Sequence, residues 1–243
     1  MRLMSTENGR KQIFGVVGGM GPLASAEFLK TIYEYGVQER EQQAPFVILY
    51  SDPGFPDRTE AFLSGVEEPL LERLILALSR LIDMGVSKTV ICCVTIHYLL
   101  PKLPDELKSR VISLLDVIFE SVARKRGRSL LLCSSGTREM KIFESHPQWE
   151  SLKDRVALPS PSDQNLIHKF IYEIKKNADV PRYIPVLESL LTKYEVDSFI
   201  VGCTEIHLLA RQYMEANADQ AERRCIDPLT IIAKSLAGAA DID

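Results

Sequence analysis

Short runs of consecutive apolar residues alternate along this chain with stretches whose apolar positions recur every three or four residues. "IFGVV" at 13–17, "FVILYS" at 46–51 and "TVICC" at 89–93 are continuous enough to be strands buried on both faces. Further strands are predicted at 110–114, 129–133, 155–158 and 198–202. Between them, positions 70, 71, 74, 75, 78, 81 and 82 are apolar, which is the stripe of an amphipathic helix that Gly85 ends. The same periodicity predicts helices over 115–126, 162–177, 183–195 and 205–217, and a last helix with Pro228 in its first turn. Strand and helix alternate throughout. This predicts an α/β protein with parallel strands covered by helices on both faces. Ligands in such folds bind beyond the carboxyl ends of the strands. The sharpest break in the pattern is "PKLPD" at 101–105, the predicted domain boundary.

Two of the predicted strands end in the same unusual way. "CVTIHYL" and "CTEIHLL" both read Cys-x-x-Ile-His-x-Leu, anchored on Cys93 and Cys203. Each thiol falls where a strand hands over to a helix. Backbone N–H groups and the helix dipole there favour a thiolate. Two such thiols in related halves suit a symmetric task, such as removing a proton from one face of a carbon and returning it to the other. The competing reading is that buried cysteine simply fills space. That reading is the better one for Cys92, Cys133 and Cys225, which lack the repeated context. His97 and His207 are open between core packing and assistance to the thiols. Zinc bound by Cys93, His97, Cys203 and His207 is a weaker alternative, because no C-x-x-C pair is present.

Composition removes other classes. The net charge is −4, so no basic surface points to nucleic acid. No apolar run approaches the ~18 residues of a membrane span. "MRLMSTENGRKQ" lacks the apolar segment of a signal peptide and reads as a loose tail before Ile13. The expected location is the cytoplasm, with the five cysteines as thiols.

The turn after the first strand allows one further reading. Gly19-Met20-Gly21-Pro22-Leu23-Ala24 formally matches G-x-G-x-x-A, the dinucleotide fingerprint, with Asp52 as a ribose ligand. Against a nicotinamide-dependent dehydrogenase, Pro22 removes an N–H that would face the pyrophosphate. The same glycines would also let the backbone approach a small carboxylate.

"GVVGGMGP", "CVTIH" and "GCTEIHLL" together resemble motifs of the aspartate/glutamate racemase family, most like its aspartate racemase branch. "PDRTEA", "SSGT", "IYEIKK" and "IDPL" fit the family in order, so the resemblance runs from residue 13 to about 240. The D-S-G opening of the cell-wall glutamate racemases is absent. The resemblance implies two similar α/β domains related by a pseudo-twofold axis, with the active site in the cleft between them. Residues 13–104 plus 215–243 would form the first domain and 105–214 the second. It implies racemisation of an acidic amino acid without cofactor or metal, with Cys93 and Cys203 as the two bases. A homodimer is implied as well. Arg58 and Lys176 would hold the distal carboxylate, with Lys175 the neighbouring alternative. Met20, Thr95, Ser135, Thr137, Thr204 and Glu205 would line the substrate's other groups. Three positions depart from the family: Val94 replaces a usual asparagine, while Cys92 and His207 stand where proline is common. A non-catalytic sensor of acidic amino acids would need Arg58 and the lysine but neither thiol.

Overall fold

The buried runs form two parallel sheets in a computed structural model that describes residues 12–36, 39–217 and 224–238. The tail expected before Ile13 lies outside the described residues, apart from Gln12. Strands β1 (Ile13–Gly18), β2 (Phe46–Ser51), β3 (Val86–Ile91) and β4 (Val111–Ile112) pair in the order β2-β1-β3-β4. Strands β5 (Ser129–Leu132), β6 (Val156–Ala157), β7 (Ser198–Val201) and β8 (Cys225–Ile226) pair in the order β6-β5-β7-β8. The two orders are the same when β1 is matched to β5, so the chain builds one topology twice. In each sheet the strand order reverses between the first and third strands. A crevice opens at such a point beyond the carboxyl ends.

The helices are α1 (Pro22–Gly36), α2 (Arg58–Leu63), α3 (Glu68–Asp83), α4 (Asp105–Lys108) and α5 (Leu114–Arg124). There follow α6 (Ser135–Glu139), α7 (Trp149–Leu152), α8 (Pro161–Lys175), α9 (Ile184–Lys193), α10 (Glu205–Ala216) and α11 (Pro228–Leu236). Local chemistry starts several of them. Asp57, Ser113, Ser134, Ser160 and Asp227 each cap a helix by accepting a backbone N–H near its start. Pro69, Pro161 and Pro228 lie in first turns, where a missing N–H costs nothing. Gly85 adopts φ +84° and closes α3, as its position predicts.

One apolar cluster runs across both sheets and includes Val16, Val90, Leu131, Ile200 and Ile232. Separate clusters cover the remaining faces, one around Val17, Leu74 and Ile91 and the other around Leu132, Phe199 and Ile206. The lobes therefore share a core.

The sheets also exchange their ends. β4 pairs with β3 through Thr89–Val111 and Val90–Ile112, although the sequence assigns it to the second domain. β8 pairs with β7 through Phe199–Cys225 and Ile200–Ile226, although its segment is assigned to the first. The strand pairing thus crosses the expected division after residue 104 at these two strands. Strand lengths differ from the pattern as well. The strand predicted at 110–114 is cut to two residues because Ser113 caps α5.

Candidate active site

Both repeated cysteines stand two residues beyond the third strand of their sheet: Cys93 after Ile91 and Cys203 after Val201. The backbone repeats around them. Cys92 N donates to Val17 O at 2.8 Å, and Gly202 N donates to Leu132 O at 2.9 Å. Cys92 is thus the counterpart of Gly202, and Cys93 the counterpart of Cys203. This separates the adjacent thiols Cys92 and Cys93 by position in the fold. Cys92 packs in the shared core and burial pushes its thiol pKa well up. Cys133 is likewise core, its thiol pushed up by burial, and Cys225 packs against the second lobe's cluster. All five cysteines are free.

The two motifs reach into each other's half. Thr95 Oγ1 lies 2.9 Å from Thr137 Oγ1 and 3.3 Å from Ser134 Oγ, which are 3.1 Å apart. Thr204 Oγ1 donates to Cys92 O at 3.3 Å. Ser134 was missed in the sequence and belongs to this hydroxyl cluster. Ser135, which was expected there, instead donates its backbone N–H to His168 Nδ1 at 3.2 Å. The first serine of "SSGT" is the helix cap, and that fixes its hydroxyl toward Thr137.

Arg58 is buried in the first turn of α2. Its Nη2 donates to Met20 O at 2.9 Å and its Nη1 to Pro56 O at 2.8 Å. Met20 therefore enters the site through its backbone, while its side chain packs in the core. Burial opposes the charge on Arg58, but Cys93, Asp57 and Glu205 outweigh it and raise the pKa.

Of the two candidate lysines, the structure turns Lys175 rather than Lys176 toward this group. Lys176 is the exposed C-cap of α8. One residue earlier the helix turns the side chain inward, and Lys175 Nζ lies 3.8 Å from Asp57 Oδ2. Burial lowers the Lys175 pKa, yet Glu205 and Cys203 carry it above its usual value. Asp57 and Tyr172 were also missed. Tyr172 Oη donates to Asp57 at 2.9 and 3.0 Å, joining α8 to the cap of α2. Nearby, a Cβ on Gly136 would meet Thr59 Oγ1 at 2.5 Å, so only glycine allows α6 to approach α2 this closely.

Glu205 is 2 % exposed. Cys203 Sγ donates to its Oε2 at 2.9 Å, while its buried Oε1 has no partner. A Cβ on Gly21 would stand 2.5 Å from that oxygen. The glycine turn therefore faces a carboxylate, which would repel a pyrophosphate. Asp52 is engaged by Arg73 at 2.6 and 3.0 Å. The dinucleotide reading has neither of its contacts free.

The paired histidines have structural partners. His207 Nδ1 donates to Asp227 Oδ2 at 2.6 Å, and its Nε2 lies 3.2 Å from Thr31 Oγ1. This buried group ties α10 to α1 and α11 and leaves Cys203 alone. His97 Nε2 accepts from Leu114 N at 3.0 Å, so Nδ1 carries the proton and donates to Cys93 O at 2.9 Å. The ring nitrogens of both histidines are thus engaged by groups other than the thiols. Among the described residues, no group of three or more His, Cys, Asp or Glu converges on a metal position.

Burial drives the His97 pKa down from 6.5 to about 4. The unfolded chain protonates this residue below pH 6.5, but the folded chain resists until about pH 4. Its contribution is full above the first value and is lost as pH falls through the window, about 3 kcal/mol in all. Urea denaturation across that window should show wild type losing more stability than His97→Gln. Equal losses in the two proteins would refute the assignment.

Both candidate thiols are nearly closed off, at 5 % exposure for Cys93 and 6 % for Cys203. A cavity of about 450 Å³ does open at the surface, among Glu27, Asp179, Val180, Leu208 and Gln212. None of the groups gathered around the thiols lines it.

A family model described as Asp/Glu/hydantoin racemase matches residues 17–236. Solved structures share the fold. An aspartate racemase from Picrophilus torridus is 24 % identical with a TM-score of 0.76, covering 93 % of this chain and 94 % of that one. An aspartate racemase homologue from Pyrococcus horikoshii OT3 is 19 % identical with a TM-score of 0.63, covering 95 % and 100 %. A glutamate racemase from Aquifex pyrophilus is 17 % identical with a TM-score of 0.56, covering 96 % and 84 %.

Proposed function

The chain belongs to the Asp/Glu/hydantoin racemase family, and from that premise we propose that it racemises an acidic amino acid, aspartate, by a cofactor-independent two-thiol mechanism. The observation that carries this reading is the equivalent placement of Cys93 and Cys203 beyond β3 and β7, at the two points where strand order reverses. One thiolate removes the α-proton while the opposing thiol protonates the other face. The α-carbon acid is weak, so the planar intermediate needs stabilisation by donors already in place. The hydroxyls of Thr95, Ser134 and Thr137 suit the α-carboxylate. The unpartnered Oε1 of Glu205 suits the α-ammonium. Arg58 and Lys175 are the cations for the distal carboxylate.

Closure follows from burial. Thiols this enclosed admit substrate only when the lobes part, and the Asp57–Tyr172 contact is one of the polar links that must break and re-form, with those of Thr95 to Ser134 and Thr137. Water exclusion then strengthens each charged contact. In this reading the first lobe ends after β4, and α11 returns to pack on α1. The protein is taken to act as a cytoplasmic homodimer, which sedimentation of purified material checks.

The decisive assay incubates purified protein with L-Asp and L-Glu, without added cofactor, and follows both enantiomers by chiral chromatography. Racemisation of aspartate is expected, unchanged after exhaustive chelation and without pyridoxal phosphate or nicotinamide. Activity lost to EDTA and restored by metal would remove the two-thiol mechanism. Activity on a substituted hydantoin but on neither acid would overturn the substrate assignment. Tight binding without turnover would identify a sensor.

A further inference from the structure

The fold treats the two thiols alike, but their neighbours differ in charge. Cys93 faces a cation, Arg58, brought by α2. Cys203 faces an anion, the Glu205 carboxylate at 2.9 Å, with the thiol as donor. The position equivalent to Glu205 in the first motif is Thr95, which carries no charge. The asymmetry is built in, because burying a carboxylate with an unpartnered oxygen is costly.

Accepting the thiols as the acid–base pair, we propose that Glu205 fixes where the shared proton rests: on Cys203, leaving Cys93 as the thiolate opposite Arg58. A carboxylate that accepts a thiol's proton resists loss of that proton, since the thiolate would be a second negative charge at contact distance. The other charged or titratable groups acting on Cys203 are Lys175 from α8 and Cys93 from the opposite lobe. Those acting on Arg58, beside Cys93, are Asp57 and Glu205. Burial and then Glu205 raise the Cys203 pKa well above the ordinary thiol value, against Lys175.

The proton count gives the consequence. At rest, the Cys93 thiolate takes the α-proton: the C–H bond breaks, an S–H bond forms, and the electron pair stays on Cα. Cys203 gives its proton to the opposite face and becomes a thiolate beside Glu205. That product form is the disfavoured one, so a proton must pass from Cys93 back to Cys203 before the next turnover in the same direction. The enantiomers are equally stable, so kcat/KM must be equal in the two directions. The asymmetry therefore shows in the chemistry of the substrate-free thiols.

The test uses substrate-free protein, so it is independent of whether aspartate is the substrate. Iodoacetamide is applied for limiting times across a pH series, and each thiol is quantified by peptide mass spectrometry, with fragmentation separating Cys92 from Cys93. In wild type, Cys93 should react at least about tenfold faster than Cys203 at neutral pH, with the lower pH midpoint. Glu205→Gln should speed Cys203 by about tenfold or more and lower its midpoint, because the amide offers a donor to the thiolate. Glu205→Asp should restore part of the wild-type midpoint. A wild-type Cys203 midpoint at or below that of Cys93 would overturn the proposal. So would a Cys203 midpoint unmoved in Glu205→Gln. If Glu205→Gln fails to fold, as judged by thermal melting, the wild-type order of midpoints alone decides.

Discussion

Cys93→Ala and Cys203→Ala should each abolish racemisation while leaving the fold intact. Each variant removes one sulfur from a packed wall, a small loss of volume, but it breaks the chain of abstraction and return. General acid–base groups contribute about 10²- to 10⁴-fold, and loss of one of only two should reach or exceed that range. In deuterated water, wild type should place deuterium chiefly in the product enantiomer during early turnover, because the returning proton comes from the opposite thiol. Each single variant should retain at most slow α-exchange of one enantiomer, with opposite preferences in the two. Cys92→Ala should keep most activity, since that thiol is the strand-end counterpart of Gly202 and packs in the core. Substantial racemisation by either Cys93→Ala or Cys203→Ala, read by chiral chromatography, would sink the two-base mechanism.

Arg58→Ala should cost about 2–5 kcal/mol in kcat/KM for aspartate, the usual loss when one partner of a buried charged contact is truncated. Two effects combine in it. The distal carboxylate loses a cation, and Cys93 loses the positive charge beside it. The backbone oxygens of Met20 and Pro56 also lose their donor, so a lower melting temperature is expected. Arg58→Lys should keep the charge but lose the fork, and fall between. Lys175→Ala should impair turnover through KM for aspartate, with a smaller effect on stability because the side chain is part-exposed. Lys176→Ala should be silent, since that side chain is exposed at the end of α8. A damaged Lys176 variant beside a normal Lys175 variant would show that the helix presents the other face to substrate.

These outcomes turn on how each residue was identified. The apolar runs, the helical stripe over α3 and the repeated Cys-x-x-Ile-His segments are local features, and local periodicity encodes burial. They suffice for the α/β class, for the strand-to-helix position of both thiols, and for the motifs that carry the family resemblance. The glycine that ends α3 and the proline in the first turn of α11 were equally legible, because each acts within its own turn.

What the chain could not declare locally concerns partners far apart in sequence. Tyr172 meets Asp57 across 115 residues, and Thr204 meets the carbonyl of Cys92 across 112. No periodicity records such a meeting. Lys175 and Lys176 are adjacent and chemically identical, and only the rotation of α8 against the cleft separates them. Ser134 and Ser135 are separated in the same way by the cap of α6. The two histidines of the repeated motif make the point most directly. Identical local context leads His97 to the N–H of Leu114 and His207 to the carboxylate of Asp227. The sequence alone determined two equivalent thiols at two equivalent turns. The carboxylate beside the second thiol is written two residues along in its own motif, whereas the folding of α2 onto the first sheet decided that a cation, Arg58, acts on the first, because the charge at a site belongs to whatever segments converge on it.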